Sequence, residues 1–394
     1  MKQKVLILTI LIFWLLNFLG ITNFSFTILL IVLLPSFIKA MALYRNYKDE
    51  MSSPFLLVMI GLLLSSISSM IYEGQTLGQC FNGLAELLTL FFIYYALKTY
   101  KVESNVVISA LNYASIIYCL FYIINYILIS TMGFALIEVS DEDMDKGLES
   151  RLRIPGSMLV SYLFFSSLNK FILYRNKQVP LVCILLSASV ILIMAFRTMI
   201  AGICLCAMLE LIIIKGFKKS TIYYTIFAAV LLFIIYNIPV FQQKIEYMVE
   251  KQKDSSTTFE DEDYIRWITF DYFINDFFKS PIEMLLGSGP TGFDSNYTKR
   301  LKDLQDDGIY TVDWGLIGDA WIYGITTVLG WIWFSVKMIK RKWTSEYKYL
   351  SILYIYLLII SITTVEFSRR GNFVIHGVVL YLFTVLPQNI KKCE

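Results

Sequence analysis

The sequence predicts an all-α, polytopic membrane protein with about twelve transmembrane helices and one large extracytoplasmic loop that contains an amphipathic helix. Three observations predict this fold class. Hydrophobic residues make up 57% of the chain and charged residues only 16%, apolar stretches of span length recur, and lysines collect in alternate connections. Such a composition lies outside the usual range of soluble domains. The formal net charge of +3 is too small to suggest a nucleic-acid partner.

The length of each apolar stretch sets the number of spans. Residues 181–214 are apolar apart from Arg197 and its neighbours. One helix over them would be roughly 50 Å long at about 1.5 Å per residue, whereas the hydrocarbon core is about 30 Å thick. We therefore predict two spans joined by a tight hairpin at Arg197. The same test, applied to residues 1–394 as a single transmembrane domain, predicts spans at 5–21, 24–44, 54–72, 80–97, 106–132, 158–173, 181–196, 198–214, 221–238, 316–338, 347–365 and 373–386.

The orientation follows from the lysines and arginines of short loops, which favour the cytoplasm. Seven alternate positions along the predicted topology carry them: Lys2 with Lys4, Arg45 with Lys48, Lys98 with Lys101, Arg175 with Lys177, Lys215 with Lys218 and Lys219, Lys337 to Lys342, and Lys391 with Lys392. Both termini are therefore predicted to be cytoplasmic. The first span has no small-residue cleavage site and another span follows at once, so we expect it to be retained.

Arginine does not follow the distribution of lysine. By count, lysines favour the predicted cytoplasmic side by roughly seventeen to seven, whereas about seven arginines lie outside and three inside. The outer arginines are Arg151, Arg153, Arg197, Arg266, Arg300, Arg369 and Arg370. A guanidinium group is planar, permanently charged and able to hold phosphate oxygens through two parallel hydrogen bonds. Arg153, Arg197, Arg266, Arg369 and Arg370 are thus candidates for binding a phosphate group of a substrate, and snorkelling to lipid headgroups is the alternative.

The loop at residues 239–315, between the ninth and tenth predicted spans, is the large segment outside the membrane. Residues 254–281 begin with Ser and Thr capping candidates and end at Pro281, as an amphipathic helix would, and this helix would hold Arg266 near the membrane interface. Gly287, Gly289 and Gly292 spell G-x-G-x-x-G. That motif binds dinucleotides only between a strand and a helix. We therefore predict a sharp turn, with a backbone anion nest as the lesser alternative.

Two residues near the outer arginines, Asp313 and His376, are candidates for proton transfer. Asp313 lies at the outer mouth of the tenth span, where its carboxylate could accept a proton from a sugar hydroxyl or could be a simple boundary residue. Asp319 lies deeper in the same span, and its role is equally open. His376 is the only histidine; it lies one turn into the last span and could act as a base or form an interhelical hydrogen bond.

These segments together resemble a known family. The motifs are R-x-P-G at Arg153 to Gly156, F-R-T-x-x-x-G at Phe196 to Gly202, YIRW followed by LLGSG in the long loop, and D-x-G with a later glycine from Asp313 to Gly324. They resemble the O-antigen polymerase and ligase superfamily, and most of all the Wzy-type polymerases of bacterial capsule and O-antigen repeats. The resemblance covers roughly the second half of the chain.

The resemblance implies a GT-C-like glycosyltransferase in the bacterial cytoplasmic membrane that needs no nucleotide sugar, cofactor or metal. It implies undecaprenyl-diphosphate-linked oligosaccharide as the substrate, which is joined to a second lipid-linked repeat on the outer face. Membrane lipid and a chain-length regulator protein would be its partners. By position, Arg153, Arg197 and Arg266 would hold the diphosphate, and Asp313 would lie at or beside the catalytic centre.

Two other functions remain open at this point. Ligases of the superfamily usually carry histidine where Asp313 stands, so aspartate favours a polymerase and leaves an O-antigen ligase as the nearest alternative. The second alternative is a polysaccharide transporter or flippase, a class often built from two repeated halves with polar residues at mid-membrane. The sequence has no evident internal repeat and few charges within its spans, which favours the enzyme.

Overall fold

The computed structural model describes residues 6–7, 9–11, 25–43, 48–136, 154–194, 196–216 and 265–387. Within these ranges the protein is all-helical and contains no strand. The α-helices are α1 (Ser25–Ala42), α2 (Ser52–Tyr72), α3 (Leu77–Thr99), α4 (Ser104–Met132), α5 (Met158–Leu173), α6 (Gln178–Met194), α7 (Arg197–Lys215), α8 (Ile265–Tyr272), α9 (Pro281–Leu286), α10 (Asn296–Asp306), α11 (Gly315–Tyr323), α12 (Ile325–Lys340), α13 (Lys348–Ile360) and α14 (Asn372–Val385). A π-helical turn extends α8, and short 3-10 turns precede α11 and α13.

Among the residues that the structure describes, four helices are long and apolar enough to cross a membrane, namely α2, α3, α4 and α7, and the shorter apolar helices are α1, α5, α6 and α14. The protein is therefore all-α and fits the class of membrane proteins. The predicted span at 221–238 and most of the span at 5–21 lie outside the described residues. The count of twelve thus stays a prediction.

The surface of α2 is arranged as expected for a helix in lipid. Leu56, Ile60, Leu63 and Ile67 are all exposed, with Leu63 at 57%, and their spacing of three or four residues puts them on one face of the helix. The serines of α2 point the other way and are buried, at Ser65, Ser66, Ser68 and Ser69. A soluble protein would bury the apolar face instead. This arrangement fits a helix whose exposed apolar face lies against lipid.

Tight helix contacts connect α2 to α12, and α3 to both α1 and α14. A Cβ at Gly61 would lie 2.5 Å from the backbone nitrogen of Thr327, and one at Gly330 would lie 2.4 Å from Val58. Small residues at such positions let helix backbones approach closely, which is how membrane helices associate. The α2–α12 pair, together with the largely buried α13 and α14, forms the framework on which the outer loops rest.

The tenth predicted span differs from the structure. One helix over 316–338 was expected, but the chain forms two helices, α11 and α12, that are separated at Gly324. Gly324 has φ +81, and a Cβ there would lie 2.2 Å from the carbonyl oxygen of Leu286 in the long loop. A left-handed glycine breaks the helix so that the loop can pack against it. In addition, α13 ends at Ile360 rather than 365, and a turn over residues 361–371 leads to α14.

The connections between helices meet at two separate ends of the bundle. At one, here called the lysine end, segments that the lysine pattern predicts to be cytoplasmic touch one another. The contacts are the ion pair Lys98–Asp49, the hydrogen bond from Tyr174 to Glu346 at 2.9 Å, and that from Arg341 to the carbonyl of Leu386 at 2.7 Å. These contacts bring alternate connections together, as the predicted topology requires.

At the other end, here called the arginine end, the segments predicted to lie outside meet. Gln75, in the turn between α2 and α3, donates a hydrogen bond to the carbonyl of Pro290 in the long loop at 2.9 Å. The backbone N–H of Leu316 donates to the carbonyl of Ser361 at 2.8 Å. The long loop is therefore seated on the arginine end of the helices.

Candidate functional site

The candidate site is built around residues 366–371, here called the arginine turn, which carries Arg369 and Arg370. Three carboxylates from different parts of the fold hold this turn. Asp319 on α11 accepts a hydrogen bond from the hydroxyl of Ser368. Glu86 on α3 accepts one from the backbone N–H of Gly371. Glu366, within the turn, forms an ion pair with Arg369 at 2.8 Å. The turn is thus fixed from several sides at once.

Arg369 is engaged by the protein itself. Besides its ion pair with Glu366, its guanidinium donates to the hydroxyl of Ser157 at 3.4 Å and lies 5.4 Å from the ring centroid of Phe196. The hydroxyl of Ser157 in turn donates to Glu366 at 3.1 Å. Arg369 therefore joins the arginine turn to the start of α5 and to the hairpin between α6 and α7. Its main role in this geometry is to assemble the site.

Arg197 and Arg370 are both exposed. Arg197 is the first residue of α7 and directly follows Phe196, the ring that Arg369 contacts. The carbonyl of Arg370 accepts a hydrogen bond from the N–H of Gly156 at 3.0 Å, so the end of the R-x-P-G motif touches the arginine turn. Arg153, which begins that motif, lies outside the described residues. Two of the predicted phosphate-binding arginines are thus exposed residues at one end of the bundle.

Arg266 and Asp313 lie on a second part of the arginine end, in the long loop. Both are half-buried, and the neighbouring rings Trp267 and Trp314 have their centroids 6.1 Å apart. This tryptophan pair therefore brings the start of α8 to the 3-10 turn that carries Asp313. A Cβ at Gly315 would lie 2.2 Å from the carbonyl oxygen of Ser361, so the same segment rests on the beginning of the turn that leads to Arg369.

The glycine-rich segment 287–292 is a packing turn. Gly287 and Gly289 have φ of +86 and +87, which only glycine adopts readily. The N–H groups of Ser288 and Gly289 donate to the carbonyls of α11, at 2.9 and 2.8 Å, and the N–H of Gly292 donates to Gln75 at 2.9 Å. Because the protein already accepts these hydrogen bonds, the prediction of a sharp turn is confirmed and the alternative of a backbone anion nest has no support.

His376 lies in the helix core beneath the arginine turn. It is 1% exposed, its Nδ1 lies 3.1 Å from the hydroxyl of Tyr354, and its ring stacks on Phe367 with centroids 5.5 Å apart. Its Nε2 has no partner among the described residues. This placement matches the alternative of an interhelical hydrogen bond, and it leaves the role of base without a contact to Arg369 or Arg370 in the described part of the chain.

Several residues of the site were not identified as candidates from the sequence. Glu86, Glu366, Ser157 and Ser368 all bond within or onto the arginine turn. The signal for Glu86 was present, because an acidic residue inside an apolar span is costly and therefore points to a specific partner. The hydroxyls of Ser157 and Ser368 carry no comparable signal, since serine is common in membrane helices and loops.

A second cluster of charges anchors the long loop to the end of α2. Glu73 accepts contacts from Lys279 at 3.3 Å and from Arg300 at 3.2 Å, and the guanidinium of Arg300 lies 4.4 Å from the ring centroid of Phe277. Close by, the buried Glu283 accepts a hydrogen bond from the N–H of Lys279 at 2.7 Å. The outer arginine Arg300 is therefore used to fasten the loop.

Burial raises the pKa of Glu283 to about 7, and the neighbouring Glu73 carboxylate contributes in the same direction. Below the ordinary pKa of about 4.5, Glu283 is protonated in the folded and unfolded chains alike. As the pH rises from there to about 7, only the unfolded chain loses this proton, so Glu283 lowers the stability of the folded state over that window. Above a pH of about 7 the loss of stability caused by Glu283 is complete and no longer changes with pH.

Glu283→Gln should remove this pH dependence while it keeps an oxygen for the N–H of Lys279. We expect its melting temperature in detergent to be close to that of wild type at pH 4 and to exceed it increasingly up to pH 7. Thermal unfolding of both proteins across this range measures the gap. A gap that stays constant with pH, or that closes as the pH rises, would contradict a buried, protonated Glu283.

Within the described ranges, no group of three or more His, Cys, Asp and Glu side chains is arranged to hold a metal ion. At the arginine end the described residues bring together the exposed Arg197 and Arg370 and the ion pair of Arg369 with Glu366. No protein-family model matches the chain, and a search of curated proteins finds no match either.

Proposed function

We propose that this chain is a membrane glycosyltransferase that polymerises undecaprenyl-diphosphate-linked oligosaccharide repeats on the outer face of the bacterial cytoplasmic membrane. In this proposal the fold is GT-C-like with about twelve spans, both termini are cytoplasmic, and the arginine end faces outward. The substrate class comes from the resemblance of the sequence motifs to O-antigen polymerases. The chemistry comes from the arginine end, which gathers three of those motifs.

The observation that carries the proposal is the convergence of motif residues on the arginine turn. Phe196 of the F-R-T motif contacts Arg369, and Gly156 of the R-x-P-G motif bonds to Arg370. Gly315 of the D-x-G motif packs against Ser361, at the beginning of the segment that leads to the arginine turn. These segments are far apart in the sequence. Their meeting at one end, with Arg197 and Arg370 exposed, is what a diphosphate site needs.

The proposed reaction is a glycosyl transfer between two lipid-linked repeats. The hydroxyl oxygen of the acceptor sugar forms a bond to the anomeric carbon of the donor glycan, and the bond from that carbon to the diphosphate oxygen breaks. The hydroxyl proton passes to the Asp313 carboxylate. Undecaprenyl diphosphate leaves with the bonding electrons and gathers negative charge, which Arg197, Arg266 and Arg370 stabilise electrostatically. Arg369 holds these groups in place.

Incubation of the purified protein with lipid-linked repeats alone tests this function. The repeats can be extracted from a strain that lacks the gene. A ladder of longer lipid-linked chains is the expected result. If elongation requires a lipid A core acceptor, the protein is a ligase. If the repeats cross a vesicle membrane without elongation, the protein is a flippase.

A further inference from the structure

Glu86 is the one acidic residue of α3, a largely apolar helix, and its contacts indicate why it is there. The residue lies on α3 and is half-buried. Its carboxyl group accepts the N–H of Gly371, the residue that directly follows Arg370. A backbone N–H needs only a neutral acceptor such as an amide oxygen. A carboxylate in an apolar helix is costly, so its charge points to a role toward Arg370.

The peptide unit between Arg370 and Gly371 is held on both sides. Its carbonyl accepts the N–H of Gly156 at 3.0 Å, and its N–H donates to Glu86. Gly371 has φ +83, a backbone conformation that glycine supplies. The backbone of Arg370 is therefore fixed while its side chain is exposed. Glu86 contributes one of the two hydrogen bonds that fix this peptide unit.

We infer that Glu86 is a positioning residue for Arg370 that also limits how tightly the site holds a diphosphate, so that the diphosphate product can leave. The inference rests on the proposed function and deepens it. Without a bound anion, Glu86 neutralises part of the charge of Arg370 and keeps it in place. With a diphosphate bound, the carboxylate competes with the anion for the guanidinium group of Arg370. Affinity for the leaving group is therefore lower than the arginines alone would give.

Two substitutions separate the hydrogen bond from the charge. Glu86→Gln keeps an oxygen that accepts the N–H of Gly371 but removes the negative charge. Glu86→Ala removes both. We expect Glu86→Gln to bind a diphosphate about tenfold more tightly, a change of about 1.4 kcal/mol, and Glu86→Ala to bind it more weakly than Glu86→Gln because Arg370 loses its support. A residue with a purely structural role would not improve binding in either variant.

The experiment measures dissociation constants for the full-length protein in lipid nanodiscs, with inorganic pyrophosphate in one arm and undecaprenyl diphosphate in the other. The variants are Glu86→Gln, Glu86→Ala, Arg370→Gln and the double variant Glu86→Gln with Arg370→Gln. Glu283→Gln is the matched control, because Glu283 also accepts a backbone N–H at the arginine end but does so in the loop anchor. Low and high salt are compared, since salt screens charges near the surface.

The expected result is tighter binding by Glu86→Gln, no change in Glu283→Gln, and no effect of Glu86→Gln once Arg370 is replaced. The gain should shrink at high salt. In turnover, Glu86→Gln should lower both KM and kcat, because the product leaves more slowly. A gain with pyrophosphate alone also supports the inference and assigns the site to a free diphosphate rather than a lipid headgroup.

Three results would overturn the inference: equal or weaker binding by Glu86→Gln, an effect of Glu86→Gln that persists without Arg370, or failure of the wild-type protein to bind either probe. The last result would also remove the arginine site from the proposed function. If the wild-type protein binds diphosphate and Glu86→Gln binds it more tightly, but no ladder forms from lipid-linked repeats, the polymerase proposal fails while the inference about Glu86 stands.

Discussion

Arg197→Lys is expected to reduce polymerisation at least about 100-fold, the order of magnitude found when one preorganised donor to a developing negative charge is removed. Arg197 is exposed at the start of α7, next to the ring that Arg369 contacts. Its planar fork can reach two phosphate oxygens at once. A lysine at this position keeps the charge but offers a single point donor, so the substitution tests geometry rather than charge.

The measurement is the rate of chain elongation by purified wild-type and variant proteins on lipid-linked repeats. Arg175→Lys is the matched control, because Arg175 is also exposed but follows α5 in a segment of the lysine end. It should elongate chains at the wild-type rate. Polymer of normal length and rate from Arg197→Lys would remove Arg197 from the site.

Asp313→Asn should reduce kcat by about 10² to 10⁴-fold, the usual contribution of a general base. Asparagine has nearly the same shape but cannot take a proton from the acceptor hydroxyl. Asp313 is half-buried beside the Trp267–Trp314 pair, so the substitution should leave the fold of the loop unchanged. Binding of undecaprenyl diphosphate should also be unchanged, because Asp313 acts on the acceptor.

Elongation by purified Asp313→Asn, measured over a range of pH, tests this role. Asp307→Asn is a control, since Asp307 is an exposed acid at the end of α10, and it should behave as wild type. Undiminished elongation by Asp313→Asn would rule it out as the base. If Asp319→Asn loses elongation instead, the base is Asp319, the buried residue that accepts a hydrogen bond from the hydroxyl of Ser368.

Much of the helical framework could be predicted because length and hydrophobicity determine it. The span expected at 158–173 is the helix Met158–Leu173, since Pro155 and Gly156 precede it and the polar segment after Tyr174 follows it. The break at Gly324 could not be predicted. It depends on the carbonyl of Leu286, a contact between distant parts of the sequence that no local pattern reveals.

The candidate site, like the fold, could be predicted from the sequence only in part. More arginines lie on the predicted outer side than the usual preference of basic residues for the cytoplasm would give. This excess indicated the arginine end, but it did not distinguish one arginine from another. Arg369 is engaged by Glu366 and Phe196, and Arg300 fastens the loop to Glu73, whereas Arg370 is exposed. These differences arise from partners supplied by other helices. Glu86 is recognisable in the sequence as an acid within an apolar span, but its contact with Gly371 is not.

The central claim is that arginines from separate segments share one outer face and bind a diphosphate there. Single cysteines at positions 197, 266 and 370, each in a variant without the native cysteines, allow a direct test with a membrane-impermeant maleimide. In right-side-out vesicles we expect all three to be labelled and undecaprenyl diphosphate to slow the labelling of positions 197 and 370. Labelling of 197 and 370 from opposite faces of the membrane, or no protection by the diphosphate at either position, would contradict the account.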